Sequence, residues 1–162
     1  MFTLFVYIAL IAGVNWIYEV TPLVTLPGGD LWSPVDLIVG FIFVIRDFAQ
    51  RKVGHYVLLA MLAGIILSWL MVSPRLALAS ALAFAIGELA DYLIFTVTGK
   101  PFSQRILYSS LLGAPIDSLV FLTLVGLASP LAMGVQIVSK LSGAFLVFWL
   151  VARKEQKRAA EA

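Results

Sequence analysis

The chain has no cysteine and a single histidine, His55. The first absence excludes disulfides and thiolate metal sites. The second leaves no material for a histidine-rich zinc centre, and His55 falls in a short turn, away from the buried acids, where it would not serve a serine-protease triad. No His-Glu-x-x-His, P-loop or glycine-rich phosphate motif is present. Charge is scarce as well. Only 12% of residues are Asp, Glu, Lys or Arg, whereas soluble domains carry roughly 25%. An ordinary soluble domain is excluded on that count, and so is a nucleic-acid binder, because the net charge is only +2.

Long apolar runs fill the chain. Hydrophobic residues make up 62% of the sequence and the mean hydropathy is +1.03. Runs of about 20 apolar residues suffice to cross a bilayer as helices. The pattern predicts an all-α, polytopic membrane protein with six spans, over 2–20, 35–50, 56–72, 75–97, 104–128 and 131–152. One transmembrane domain covers 1–152, and a short basic tail covers 153–162. The first run has no basic n-region and no small-residue cleavage site, so it reads as a retained helix. Arg51, Lys52, Lys100, Arg105 and the tail residues Arg153, Lys154, Lys157 and Arg158 fall on one side, and only Arg75 on the other. The positive-inside rule then places both termini in the cytoplasm. Trp16, Tyr18, Trp32, Tyr56, Trp69, Tyr108 and Trp149 lie near span ends, as in an interfacial aromatic belt.

Against this background a few polar residues stand out. Ionisable groups in hydrocarbon are costly and mark ligand or ion pathways. Glu88 and Asp91 are spaced i, i+3 and share one face of the fourth span, near Phe84, Tyr92 and Phe95. They are either a functional carboxylate pair able to hold a proton or a buried ion pair with Lys140 or Arg105. Asp117 lies near the middle of the fifth span, just after Gly113-Ala114-Pro115. Proline there removes a backbone hydrogen bond, and an interrupted helix beside Asp117 would resemble transporter binding sites. Ser109, Ser110 and Ser118 add hydroxyls. Lys140 sits near the middle of the sixth span with Gln136 one turn before it; a carboxylate partner is expected, either Asp117 or the Glu88/Asp91 pair. Asn15 is either interhelical glue or a ligand contact. The stretch Arg46-Asp47 to Arg51-Lys52 closes the second span, where Asp47 and Arg51 are spaced for a helical salt bridge or for a cytoplasmic gate.

The run from Val35 through Arg46-Asp47 to Arg51 and Gly54 resembles a membrane family labelled putative vitamin uptake transporters, better described as queuosine precursor transporters. Ala85 to Asp91 with Phe95, Arg105 with Ser109-Ser110, Asp117-Ser118 with Phe121, Lys140 and Asn15 follow the same ordered pattern. The resemblance implies import of a 7-deazaguanine base across the inner membrane, with Asp47, Asp91, Ser110, Asp117 and Lys140 as functional positions. A guanine-type edge carries adjacent N–H donors that a carboxylate accepts, and Phe84, Tyr92 or Phe121 could stack on the ring. The expected substrate-binding set is therefore Asn15, Glu88, Asp91, Ser110, Asp117, Gln136 and Lys140, facing one cavity. Asp47, Arg51 and Arg105 form a gate or structural ion pairs. Alternating access is expected, with proton coupling through the site acids. No metal, no cofactor and no enzymatic step is expected. A homodimer is compatible with so small a domain. Two other readings stay open: the substrate-binding subunit of an energy-coupled importer, which needs a separate ATPase, and a non-transporting membrane adaptor.

Overall fold

The computed structural model describes residues 2–161. It is a helical bundle: α1 (Phe2–Val20), α2 (Asp36–Val53), a 3₁₀ turn (Gly54–Tyr56), α3 (Val57–Trp69), α4 (Pro74–Val97), α5 (Phe102–Val125) and α6 (Pro130–Ala160). The α1–α2 connection folds into a small antiparallel hairpin, Val24 opposite Trp32 and Thr25 opposite Leu31, which the sequence reading did not anticipate. Helix ends follow local chemistry. Pro74 and Pro130 occupy first-turn positions, where their missing N–H costs nothing. Ser129 Oγ accepts the Ala132 amide at 3.0 Å. Gly126 ends α5 with φ +80°, a left-handed turn that side chains disfavour.

The burial pattern is reversed relative to a soluble protein. Leu70, Val97, Phe5 and Val138 are among the most exposed side chains, whereas Arg46, Asp47, Glu88 and Asp91 are fully buried. Apolar outside and charged inside is what a hydrocarbon solvent selects. By length and composition five segments reach spanning size: Thr3–Val20, Asp36–Trp69, Pro74–Val97, Phe102–Val125 and Pro130–Ala160. That criterion supports five spans, not the six expected, and assigns no sidedness. The difference lies at α3, which has 13 residues and rises only about 20 Å; it counts as one segment with α2. Most of the basic tail is helical, because α6 continues to Ala160.

Contacts define the path of the chain. Lys52 reaches Thr3 at 3.4 Å, Asn15 reaches Ser68 at 2.8 Å, and Ser73 reaches Glu19 at 3.0 Å. α3 therefore runs alongside α1 in the same direction, while α2 runs against both. The reversal occurs at Gly54, whose φ of +61° is open to glycine. The helices form a ring in which each packs on its neighbours, in the order α1, α2, α6, α5, α4, α3. α4 and α5 form the most extensive interface.

Two close approaches hold the ring. At Gly40 the α2 backbone meets the carbonyl of Lys140, so that any Cβ would overlap it, and Gly143 faces the Gly40–Phe41 backbone from α6. Between α4 and α5 the arrangement is reciprocal: Gly87 receives the Asp117 side chain and Gly113 receives Asp91. Small residues let helix backbones approach closely in lipid. Gly40→Ala is expected to lower the melting temperature in detergent, by the equivalent of about 1–3 kcal/mol of overpacking. Gly134→Ala, inside α6 and meeting open space, is the control and should leave melting unchanged or raise it slightly, because alanine is the better helix former.

Candidate functional site

The buried polar residues form two layers. In the first, Arg46 extends from α2 into the interface with α4. Its Nε donates to Glu88 Oε2 at 3.1 Å, Nη1 lies 3.0 Å from Asp47 Oδ1, and Nη2 pairs with Asp91. Nη1 also donates to Gln50 Oε1 at 2.6 Å. The i, i+3 spacing of Glu88 and Asp91 presents both acids to one guanidinium, whose planar fork has enough donors for all of these partners. Tyr7 of α1 donates to Glu88 Oε2 at 3.1 Å, and Ser109 of α5 donates to Asp47 Oδ2 at 3.2 Å. Four helices thus converge on this layer.

The second layer lies on α2, α5 and α6. Lys140 Nζ pairs with Asp117 and lies 3.2 Å from Ser118 Oγ. Gln136 Nε2 donates to Asp36 Oδ1 at 2.9 Å. A narrow cleft lies beside these groups, with a cavity volume of only about 40 Å³, so that a ligand larger than water enters only when the helices move apart. Asn15, Tyr18, Asp36, Phe84, Asp117, Phe121, Gln136 and Lys140 are among its lining residues. Asp36 and Gln136 are each only 1% exposed, yet Asp36 Oδ2 and Gln136 Oε1 have no hydrogen-bond partner. Two unmet acceptors beside a cleft call for a donor. A second cavity, at the end of the bundle where α1 finishes and α4 starts, contains Glu19, Ser73 and Arg75 and shares Tyr18 and Phe121 with the first. These two rings meet edge-to-face, 5.1 Å apart, and form a partition between the cavities.

The residues expected at one cavity are therefore divided. Asn15, Asp117, Gln136 and Lys140 line the cleft. Glu88 and Asp91 do not: their partner is Arg46, rather than Lys140 or Arg105, the partners considered for a buried ion pair, because Arg46 lies level with both on the facing helix. Asp47 likewise pairs with Arg46 and Ser109, not with Arg51. Arg51 instead stacks over Phe102, at 4.4 Å. Arg105 donates to the Phe95 carbonyl at 2.9 and 2.6 Å, closing the end of α4. Ser110 is buried without a hydrogen-bond partner and is not part of the cleft lining. Asn15 both lines the cleft and bonds Ser68. α5 runs unbroken through Pro115, so the expected helix interruption beside Asp117 is absent. Tyr18 belongs to the cleft rather than to an aromatic belt, and Tyr92 is not among the lining residues but contacts His55.

Asp36 and the central role of Arg46 were not foreseen. Asp36 stands at the start of a helix just after Pro34, where an acid reads as a partner of the helix dipole. One signal was available: Asp36, Gly40, Phe43 and Asp47 share a face at helical spacing. Among the described residues no group of three acids or histidines is arranged to hold a metal ion.

A family model described as "putative vitamin uptake transporter" matches residues 37–153. No curated protein and no solved structure matches the chain.

Arg46→Met would leave three buried carboxylates without their cation and is expected to destabilise the protein by about 3–5 kcal/mol. For the second layer, Lys140→Met and Asp117→Leu should each lower the melting temperature. The double variant should melt closer to wild type than either single one, because it removes both charges together. Thermal unfolding in detergent measures all four proteins.

Proposed function

This chain belongs to the putative vitamin uptake transporter family, and from that premise we propose that it imports a 7-deazaguanine base, a queuosine precursor of the cyano or aminomethyl type. The observation that carries this reading is the pair of unpartnered acceptors, Asp36 Oδ2 and Gln136 Oε1, beside one cleft. The ring N–H and exocyclic amine of a guanine-type base are adjacent donors that match two such oxygens. Phe84 and Phe121 offer faces for stacking. Lys140, which lines the same cleft and holds Asp117 and Ser118, is the donor available to the ring carbonyl. With Asp36 and Asp117 ionised and Lys140 charged, the cleft carries one net negative charge. That balance favours the cationic aminomethyl base over the cyano base.

In the bilayer the chain crosses six times, with α2 and α3 as separate crossings and both termini in the cytoplasm of the cell whose inner membrane it occupies. The opposite directions of α2 and α3 support this. So does the collection of Arg51, Lys52, Lys100 and the basic end of α6 at the bundle end that also holds the start of α1. Import proceeds by alternating access. The Tyr18–Phe121 pair separates the cleft from the outer cavity, and the Arg46 layer closes the path toward the basic end.

Ligand binding raises melting temperature by mass action. Purified protein should be stabilised by 7-deazaguanine bases, by the aminomethyl form more than the cyano form, and Asp36→Asn should abolish the shift. Stabilisation by a chemically unrelated vitamin alone would overturn the substrate. Proteoliposomes containing only this protein should take up the base without ATP; a requirement for ATP and further subunits would replace the carrier reading with that of an energy-coupled importer's binding subunit.

A further inference from the structure

We propose that the Arg46 layer is a proton-binding site separate from the substrate cleft, and that it carries the proton whose entry drives import. Three carboxylates, Asp47, Glu88 and Asp91, surround one guanidinium, so three negative charges against one positive leave a formal excess of two. All four side chains are completely buried. Such an excess in hydrocarbon is expensive, and the simplest ligand that relieves it is a proton. A metal cation is poorly suited, because the guanidinium already occupies the position between the acids.

The geometry narrows where the proton sits to two oxygens. Glu88 Oε2 receives two donors, Tyr7 and Arg46. Glu88 Oε1 is buried and receives none, and Asp91 Oδ1, beside the oxygen paired with Arg46, is likewise buried without a donor. A carboxylate with one saturated and one empty oxygen is suited to carry O–H on the empty one. The other charged and titratable groups acting on these acids are Tyr7 from α1, Arg46 from α2, and Arg105 and Asp117 from α5. His55, in the 3₁₀ turn, is directed to Tyr92 instead.

Two features make this site one for coupling rather than leakage. Its complete burial means that a proton enters or leaves only when the helices move. The layer is also mechanically joined to the cleft: Asp117 of the cleft is seated in the notch of Gly87, next to Glu88, and Asp91 of the layer is seated in the notch of Gly113, one turn before Asp117. Sliding of α4 against α5 cannot alter one centre without altering the other. The direction of coupling rests on the import reading above; the existence of the proton site does not.

Two measurements test the proposal. Infrared spectroscopy of purified protein at neutral pH should show the carbonyl stretch of a protonated carboxyl, lost in Glu88→Gln; no such band, or a band unaffected by Glu88→Gln and by Asp91→Asn, overturns the site. In proteoliposomes, a pH gradient acid outside should accumulate the aminomethyl base by about tenfold per pH unit for each proton carried, with acidification of the lumen on addition of base. Glu88→Gln should retain the base-induced melting shift and lose the response to the gradient. Wild-type accumulation that ignores the pH gradient, or follows a sodium gradient instead, overturns the coupling even if Glu88→Gln fails to fold. If no deazaguanine base shifts melting while the infrared band is present and sensitive to Glu88→Gln, the substrate reading fails and the proton site stands.

Discussion

Arg46 is the cation on which the interior depends. Its guanidinium carries contacts to α2 and α4 directly, and through Glu88 and Asp47 it ties in Tyr7 on α1 and Ser109 on α5. In water such an ion pair would contribute little net stability, because solvent competes for each partner. In hydrocarbon the comparison is different: each of these charges separated from the others has no solvent to turn to. The layer therefore acts less as a source of affinity between helices than as a constraint on their register. α2 and α4 cannot shift by a turn without stranding charges.

That constraint explains the placement of the glycines. Bringing five acids and two cations into a bundle this narrow requires backbones to approach closely. Gly40, Gly87, Gly113 and Gly143 supply the space, and in three of the four cases the space is filled by a polar layer residue or its backbone: Lys140, Asp117 and Asp91. Packing and electrostatics are thus one arrangement. The cleft is what remains where the second layer is incompletely satisfied, with Asp36 and Gln136 each holding one oxygen free. A site with unmet acceptors discriminates strongly in favour of ligands that bring donors, because a ligand lacking them leaves those oxygens desolvated and unpaired.

Much of this was legible in the chain itself. Low charge and long apolar runs mark a membrane bundle, and charges within those runs mark its interior; Asp117, Gln136 and Lys140 were found in this way, including the Lys140–Asp117 partnership as one of two alternatives. Asp36 escaped because an acid at a helix start has an ordinary local explanation. The partner of Glu88 and Asp91 escaped because Arg46 sits near a basic span end, where the positive-inside rule accounts for it equally well. The proline in α5 misled in the opposite sense: removing one hydrogen bond did not break the helix, which continues through Pro115 while packed against α4 and α6.

The sequence by itself determined the solvent, the helical class and the inventory of interior charges, because these follow from composition and from one-dimensional periodicity. Which charge meets which was decided only by tertiary structure. Pairing across helices depends on the rotation and depth of each helix, and these are set by glycine notches between segments far apart in the chain. The division of the polar residues into an acid-rich layer around Arg46 and a cleft around Lys140 therefore has no signature in local spacing. It arises because α2, seated between α1 and α6, is in contact with every other helix and reaches across the ring to α4 through Arg46.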